Sequence, residues 1–269
     1  MEHRIQFDQQ IFREECNAQW IGNPFIFFED IGSTNQYLKQ QLAHLGTLSS
    51  GTLALTDYQS AGRGRLGRQW IAPPRTALLV SVALRPSFSP VWLSMIVGLA
   101  AVEALAQPTA QLKWPNDVMI VGQDGIWRKI AGILVELQTD GNGQVTAILG
   151  MGLNVNIEAT DLPASATPAT SVLVERGVAV SRERLLARWV ERLEWWVDSA
   201  ELGNSPQPAW NKNLITLNQP VTVRGGLTIN GIAEGTDEWG RLLVRDSDGN
   251  LHACAAGDVT LRRASVRGS

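Results

Sequence analysis

The sequence predicts an α+β fold, a helix-containing domain with a substantial sheet followed by a small all-β module, and three observations carry that expectation. Runs rich in apolar and β-branched residues recur between residues 25 and 155. A mostly apolar stretch at 91–106 and an amphipathic one at 182–200 have helical character. Beyond Pro206 and Pro208 the texture changes to short β-like runs punctuated by turn residues.

In chain order, 25–28 reads as a strand, and Ser33 with Gln36 forms a Ser-x-x-Gln capping pattern that starts a helix reaching about Leu45. Segments 52–58 and 77–84 read as strands flanking a Gly/Arg-rich loop. The run 91–106 is broken by Ser94 and Glu103 and is too short to cross a bilayer, so it is a buried helix. Strands follow at 111–114, 130–137 and 145–155. Alternation places Lys129 on the same strand face as Ala131, Ile133 and Val135, its ammonium at the end of an apolar row. In 182–200, Leu185, Leu186, Trp189, Leu193, Trp196 and Val197 share a face, giving a packing helix whose tryptophans are core. Short strands at 221–223, 227–232, 242–244 and 259–261 complete the chain, and residues after Arg263 read as a frayed tail.

Composition narrows function. With 44% hydrophobic and 18% charged residues the chain is an ordinary globular protein, and a net charge of −3 excludes a generally basic nucleic-acid coat, so any anion site must be concentrated. Cys16 and Cys254 are too far apart in sequence for a CxxC motif and form no disulfide framework, which fits a reducing compartment. His3, His44 and His252 lack ligand spacing, so no structural metal is expected. Charged residues from Glu2 to Glu15 interrupt any signal-peptide core. The expected location is the cytoplasm, with no membrane and no DNA partner.

Gly62-Arg63-Gly64-Arg65-Leu66-Gly67 matches the letters G-x-G-x-x-G. A dinucleotide loop would need an acid roughly twenty residues on, yet none occurs between Asp57 and Glu103, and the loop leads into a strand. The Walker pattern is absent as well. What remains is Arg63, Arg65 and Arg68 on a glycine-rich loop with no acid beside them. Alone it reads first as a solvated basic turn, and second as a cradle in which guanidinium forks order around a bound anion.

Four more segments accompany the loop in order: Ser33-Thr34-Asn35, Leu112-Lys113-Trp114-Pro115-Asn116-Asp117, Arg128 through Glu136, and Gly152-Leu153-Asn154. With Gln59-Ser60-Ala61-Gly62-Arg63-Gly64-Arg65 they resemble the biotin protein ligases, also called biotin–acetyl-CoA-carboxylase ligases. The likeness is strong from Phe25 to Asn156 and weaker to Arg262. It implies a catalytic domain like that of class II aminoacyl-tRNA synthetases over residues 1–215 and a small SH3-like β-barrel over 216–269. Only 32 residues precede Ser33, so the resemblance points to the ligase-only type without a DNA-binding domain.

The implied activity is conversion of biotin and ATP, with Mg2+, to biotinyl-5′-AMP, then transfer of biotin to a lysine of the biotin carboxyl carrier protein of acetyl-CoA carboxylase. A homodimer through the catalytic sheet is compatible with the resemblance but not required by it. By the same resemblance, Ser33, Thr34, Asn35, Gln59, Gly62, Arg63, Gly64, Arg65, Lys129 and Gly132 serve biotin. Arg65, Arg68, Trp70, Lys113 and Asn154 serve ATP or the adenylate, Asp117 serves Mg2+, and Lys129 and Arg63 are the catalytic cations. Each has a plainer reading: Ser33 as a helix cap, Lys129 as an edge-strand charge, Trp70 as core, Gly132 as a strand bend. Leu66 stands where some relatives carry another arginine. A lipoate or octanoate ligase of similar fold, and a nonenzymatic nucleotide-sensing module, are the rival readings.

Overall fold

The computed structural model describes residues 4–139, 143–164, 167–255 and 257–261. Strands β1 (Phe25–Phe28), β2 (Leu53–Thr56), β3 (Ala77–Leu84), β4 (Ala110–Lys113), β5 (Asp117–Val121), β6 (Trp127–Thr139) and β7 (Val145–Asn154) form a seven-stranded sheet. Its order is β1-β2-β3-β7-β6-β5-β4, parallel between β1 and β2 and antiparallel elsewhere.

Helix α2 (Thr34–Leu45) packs on one face and α3 (Trp92–Leu105) on the other, where α5 (Arg182–Glu201) lies against it. Central β3 is apolar except for Ser81 and is buried along its whole length, as expected of a strand covered on both faces. Helix α3, apolar nearly all round, is buried between the sheet and its helical neighbours. Helix α2 begins as its capping pattern predicts, with Ser33 Oγ accepting from Gln36 N at 3.5 Å, and ends at left-handed Gly46. No helix among the described residues is long and apolar enough to cross a membrane.

Residues 111–114, 77–84, 145–155 and 182–200 fall on the expected elements within a residue or two. Helices α1 (Gln9–Glu15), α4 (Val172–Arg176) and α6 (Gln207–Asn213), and strand β5, are additions to the sequence reading. Helix α1 carries Phe12, whose ring stacks on Phe25 at 4.8 Å, so the N-terminal segment covers the edge strand β1.

The C-terminal region forms a second sheet from β8 (Pro220–Arg224), β9 (Thr228–Thr236), β10 (Leu242–Arg245), β11 (Leu251–Cys254) and β12 (Asp258–Leu261), in order β11-β10-β9-β8-β12, all antiparallel. Strands β11 and β12 lie at opposite edges, and no ladder joins them among the described residues. The sheet is tied to the larger domain by Trp114 Nε1 donating to Gly240 O at 2.9 Å and by Gln207 Nε2 donating to Thr236 O at 2.7 Å. The tail expected after Arg263 lies outside the described residues.

One expectation fails. Lys129 does not share a face with Ala131, Ile133 and Val135: the β5–β6 register slips between Val118 and Met119, leaving Ile130 as an extra residue in β6. The slip inverts the alternation, and Lys129 instead lies over Gly132, whose hypothetical Cβ would sit 3.1 Å from Lys129 Nζ.

Candidate active site

On the face that α2 covers only in part, β6 and β7 present three glycines, Gly132, Gly150 and Gly152, with Gly132 paired to Gly152. Missing side chains there open a cavity of about 670 Å³, within the range of small-molecule sites. The Gly/Arg loop roofs it. Its two arms are held together by Trp70 N donating to Gly62 O at 3.1 Å and Gly64 N donating to Arg68 O at 2.7 Å, with a tight turn at Arg65–Gly67. Leu66 sits at the tip with φ 56° and is mostly exposed. Gly62 is required by space, because a Cβ there would come within 2.3 Å of the Trp70 carbonyl oxygen. Gly64 has ordinary φ and only loose neighbours, so no comparable demand falls on it.

Ser33, Thr34, Asn35, Gln59 and Arg63 line one end of the cavity, and Gly64, Arg65, Arg68, Trp70, Lys113, Asp117, Lys129, Gly132 and Asn154 line the rest. Gly62 is buried beneath the roof. Sequence segments from Ser33 to Asn154 therefore meet around one space. Arg224 and Asp258 of the second sheet reach it too. Six cationic side chains line the cavity, Arg63, Arg65, Arg68, Lys113, Lys129 and Arg224, against the carboxylates Asp117 and Asp258, a surplus of four positive charges. In a chain whose net charge is −3, that concentration selects an anionic ligand.

Several cations are already engaged. Lys129 Nζ lies 2.5 Å from Asp117 Oδ1 and 5.5 Å from the Trp70 ring centroid. Arg68 pairs with Asp258, a bond that raises the guanidinium and lowers the carboxyl from their ordinary pKa values. Arg65 Nη1 donates to Asn116 Oδ1 at 3.2 Å, while burial pushes its pKa down. Lys113 is also pushed down, first by burial and then by the nearby Lys129 and Arg68 charges, and it makes no ion pair with a described residue.

At the α2 end the polar side chains bond to one another. Gln59 Oε1 accepts from Thr34 N at 2.8 Å, Thr34 Oγ1 is 2.7 Å from Ser81 Oγ, and Ser81 Oγ donates to Asn35 Oδ1 at 2.5 Å. Asn35 Nδ2 donates to Glu136 Oε2 at 2.9 Å, and Lys39 Nζ lies 2.8 Å from Glu136 Oε1. Burial would raise the Glu136 pKa, but the hydrogen bonds from Lys39 and Asn35 outweigh it and hold the carboxyl below its ordinary value.

Two buried polar atoms at the other end, Trp70 Nε1 and Asn154 Oδ1, have no hydrogen-bond partner, although Asn154 Nδ2 donates to Thr170 O at 2.9 Å. A donor and an acceptor left open beside an apolar floor are features that a heterocyclic ligand would satisfy. Asp117, one of two carboxylates on the cavity wall, suits an ion that arrives with its own phosphate ligands and waters, and no cluster of three metal-ligating side chains occurs among the described residues.

The sequence gives no role to Ser81, Glu136, Arg224 or Asp258, and to Asn116 only that of a rigid turn with Trp114 and Pro115. A polar residue inside the apolar run 77–84 was the available signal for Ser81. Asn116 and Glu136 lie within the segments that carry the resemblance, but only the fold reveals their partners: Asn116 Nδ2 donates to Ile133 O at 2.8 Å and pins the middle of β6.

Comparison with known proteins accords with this geometry. Residues 27–156 match the model of the Biotin/lipoate A/B protein ligase family, and residues 216–262 match that of the Biotin protein ligase C terminal domain. The chain is 36% identical over 243 residues to the biotin–[acetyl-CoA-carboxylase] ligase of Mycobacterium tuberculosis, covering 85% of each. It is 34% identical over 265 residues to the bifunctional ligase/repressor BirA of Escherichia coli, covering 95% of this chain and 79% of that one. The biotin protein ligase of Aquifex aeolicus, solved in complex with biotin and ATP, superposes with a TM-score of 0.73 at 28% identity, covering 89% of this chain and 98% of that one. A glycine-floored, cation-rich cavity set in matching sequence of this extent leads to one conclusion: the chain belongs to the biotin protein ligase family.

Proposed function

We propose that this protein activates biotin with ATP, forming biotinyl-5′-AMP and releasing pyrophosphate, and then transfers the biotinyl group to a lysine of the biotin carboxyl carrier protein of acetyl-CoA carboxylase. The observation that carries this reading is the surplus of four positive charges around a cavity that also offers hydrogen-bonding and apolar walls. In the first step a biotin carboxylate oxygen bonds to the α-phosphorus as the bond to the bridging β-phosphate oxygen breaks. Two anions must be forced together, and fixed cations offset their repulsion without reorganising. Lys129 and Arg63 are assigned that task, with Lys113 and Arg68 on the phosphates. In the second step the carrier amine attacks the anhydride carbonyl, AMP leaves, and no enzyme nucleophile is required.

Ser33, Thr34, Asn35 and Gln59, with the loop backbone at Gly62 to Arg65, are assigned to the ureido ring and the valeryl carboxylate. Trp70 and Asn154 are assigned to the adenosine, and Gly132 leaves room for biotin. Asp117 is assigned to Mg2+, which screens the phosphate charge when ATP binds. On this reading residues 1–215 form a catalytic unit of the class II aminoacyl-tRNA-synthetase type and 216–269 an SH3-like module that lends Arg224 and Asp258 to the site. The reading places the protein in the cytoplasm with no DNA or membrane partner, and allows a second copy of the chain as a partner.

The test is pyrophosphate–ATP exchange with biotin or lipoate, followed by mass spectrometry of a carrier domain incubated with enzyme, biotin and Mg·ATP. Biotin-dependent exchange and one biotinyl addition are expected; exchange driven by lipoate alone would overturn the assignment.

A further inference from the structure

The hydrogen bonds at the α2 end have a direction. Lys39 and Asn35 hold Glu136 below its usual pKa, so the carboxylate is acceptor-only. Asn35 must therefore turn its amide N–H toward Glu136 Oε2, 2.9 Å away, and its carbonyl toward Ser81. The Ser81 hydroxyl is fully buried and has one proton, which the 2.5 Å bond to Asn35 Oδ1 consumes. At its 2.7 Å contact with Thr34, Ser81 is then the acceptor and Thr34 the donor. Among the described residues the only other acceptor within reach of the Thr34 proton is Gln59 Oε1, at 3.2 Å and already taken by Thr34 N. Either way the proton points into the protein, and Thr34 Oγ1 offers only lone pairs to the cavity.

We propose that Glu136, Asn35 and Ser81 form a polarity relay that fixes Thr34 Oγ1 as a hydrogen-bond acceptor, so that an N–H donor on the ligand ring is the feature this end of the cavity reads. The proposal rests on the biotin reading, since a ureido ring supplies two such donors. Ser81 and Glu136 are positioning residues, acting through Thr34 and Asn35. An analogue with a ring ester oxygen in place of the N–H that is read would set lone pair against lone pair and leave a buried acceptor unpaired.

The experiment compares biotin with its two cyclic carbamates, each having one ureido N–H replaced by oxygen, in calorimetric binding to the wild type, Ser81→Ala and Glu136→Gln, with ATP binding measured in parallel. In the wild type one carbamate should bind at least about tenfold more weakly than biotin, the size expected for one unpaired buried group. In Ser81→Ala the Thr34 hydroxyl loses its principal acceptor and can donate to the ring oxygen. In Glu136→Gln the new amide can donate, which lets Asn35 flip and the chain reverse. Both variants should bring biotin and that carbamate within about threefold of each other while leaving ATP affinity in place; if Ser81→Ala does not fold, the isosteric Glu136→Gln carries the test. Undiminished discrimination in the folded variants, equal binding of all three ligands by the wild type, or parallel loss of biotin, carbamate and ATP would overturn the relay. Failure of the wild type to bind biotin at all would instead overturn the functional reading beneath it.

Discussion

Trp70 lies directly on Gly152: a Cβ on that glycine would come within 2.4 Å of Trp70 Cε2. The roof of the cavity rests on bare β7 backbone, and the same indole approaches Gly132 on β6, where a Cβ would meet Trp70 Cζ3 at 2.9 Å. Gly152→Ala is expected to lift Trp70 from its seat and narrow the adenosine end, because an ordinary carbon contact needs roughly 3.5 Å or more. ATP affinity should fall by about tenfold or more with the fold retained. Calorimetric titration of ATP beside circular dichroism checks this; unchanged affinity would mean that the seat of Trp70 is dispensable.

Lys113 supplies a pH signature. Burial, then the Lys129 and Arg68 charges, lowers its pKa in the free protein, whereas a bound phosphate would raise it again. Binding therefore takes up protons in the alkaline range between the depressed value and the value in the complex, and ATP affinity should weaken as pH rises through that window. The stability effect has the opposite sign. A lysine depressed in the folded state costs stability below its folded pKa, and that cost fades as pH climbs to the unfolded value. Lys113→Met should flatten both trends, as seen in ATP titrations and thermal melts across the alkaline range.

Lys129 and Asp117 should behave as a coupled pair, their charged atoms lying 2.5 Å apart. Lys129→Ala removes a cation from the meeting point of two anions and leaves the Asp117 carboxylate facing them. Biotin-dependent pyrophosphate exchange should fall by about 10²–10³-fold, the scale of losing one fixed electrostatic stabiliser. Adding Asp117→Ala should cost less than the product of the two single losses, since the stranded carboxylate is then gone. A double-mutant cycle on exchange rates reads the coupling, and simple additivity would argue that the pair does not act as a unit.

What could be read in advance followed the length scale of the physics. Ser33 and Gln36 announce the start of α2 because capping is settled within four residues, and the run at 91–106, apolar but for Ser94 and Glu103, leaves α3 nowhere to go but the interior. The segment resemblance gathered Thr34, Arg63, Lys113, Lys129 and Asn154, which the fold then arranges round one cavity. Alternation misplaced Lys129 because the extra residue at Ile130 is decided by pairing with β5, a strand absent from the elements expected of the sequence. Asp258 and Arg224 reach the site only through docking of the second sheet, and local patterns near them carry no trace of that contact. Ser81 was visible as an oddity in an apolar strand, but its meaning needs Asn35 opposite it.

A last prediction separates stability from catalysis. Asp57, at the end of β2, and Arg182, at the start of α5, form an ion pair at 2.7 Å with side chains only 2% and 4% exposed. Asp57 Oδ2 also accepts from Phe7 N at 3.2 Å, and Arg182 donates to Ile5 O at 2.6 Å, so the pair fastens the N-terminal segment to sheet and helix alike. Arg182→Met leaves the buried Asp57 carboxylate only its longer ion pair, to half-buried Arg75 at 3.9 Å. Breaking a buried pair in this way costs about 3–5 kcal/mol. Arg182→Met should therefore unfold at markedly lower denaturant concentration, while Asp57→Asn combined with Arg182→Met regains part of the loss by removing the stranded charge. Neither side chain lines the main cavity, so biotin and ATP affinities measured well below the unfolding transition should match those of the wild type; a matching drop in affinity would show that this junction also sets the geometry of the site.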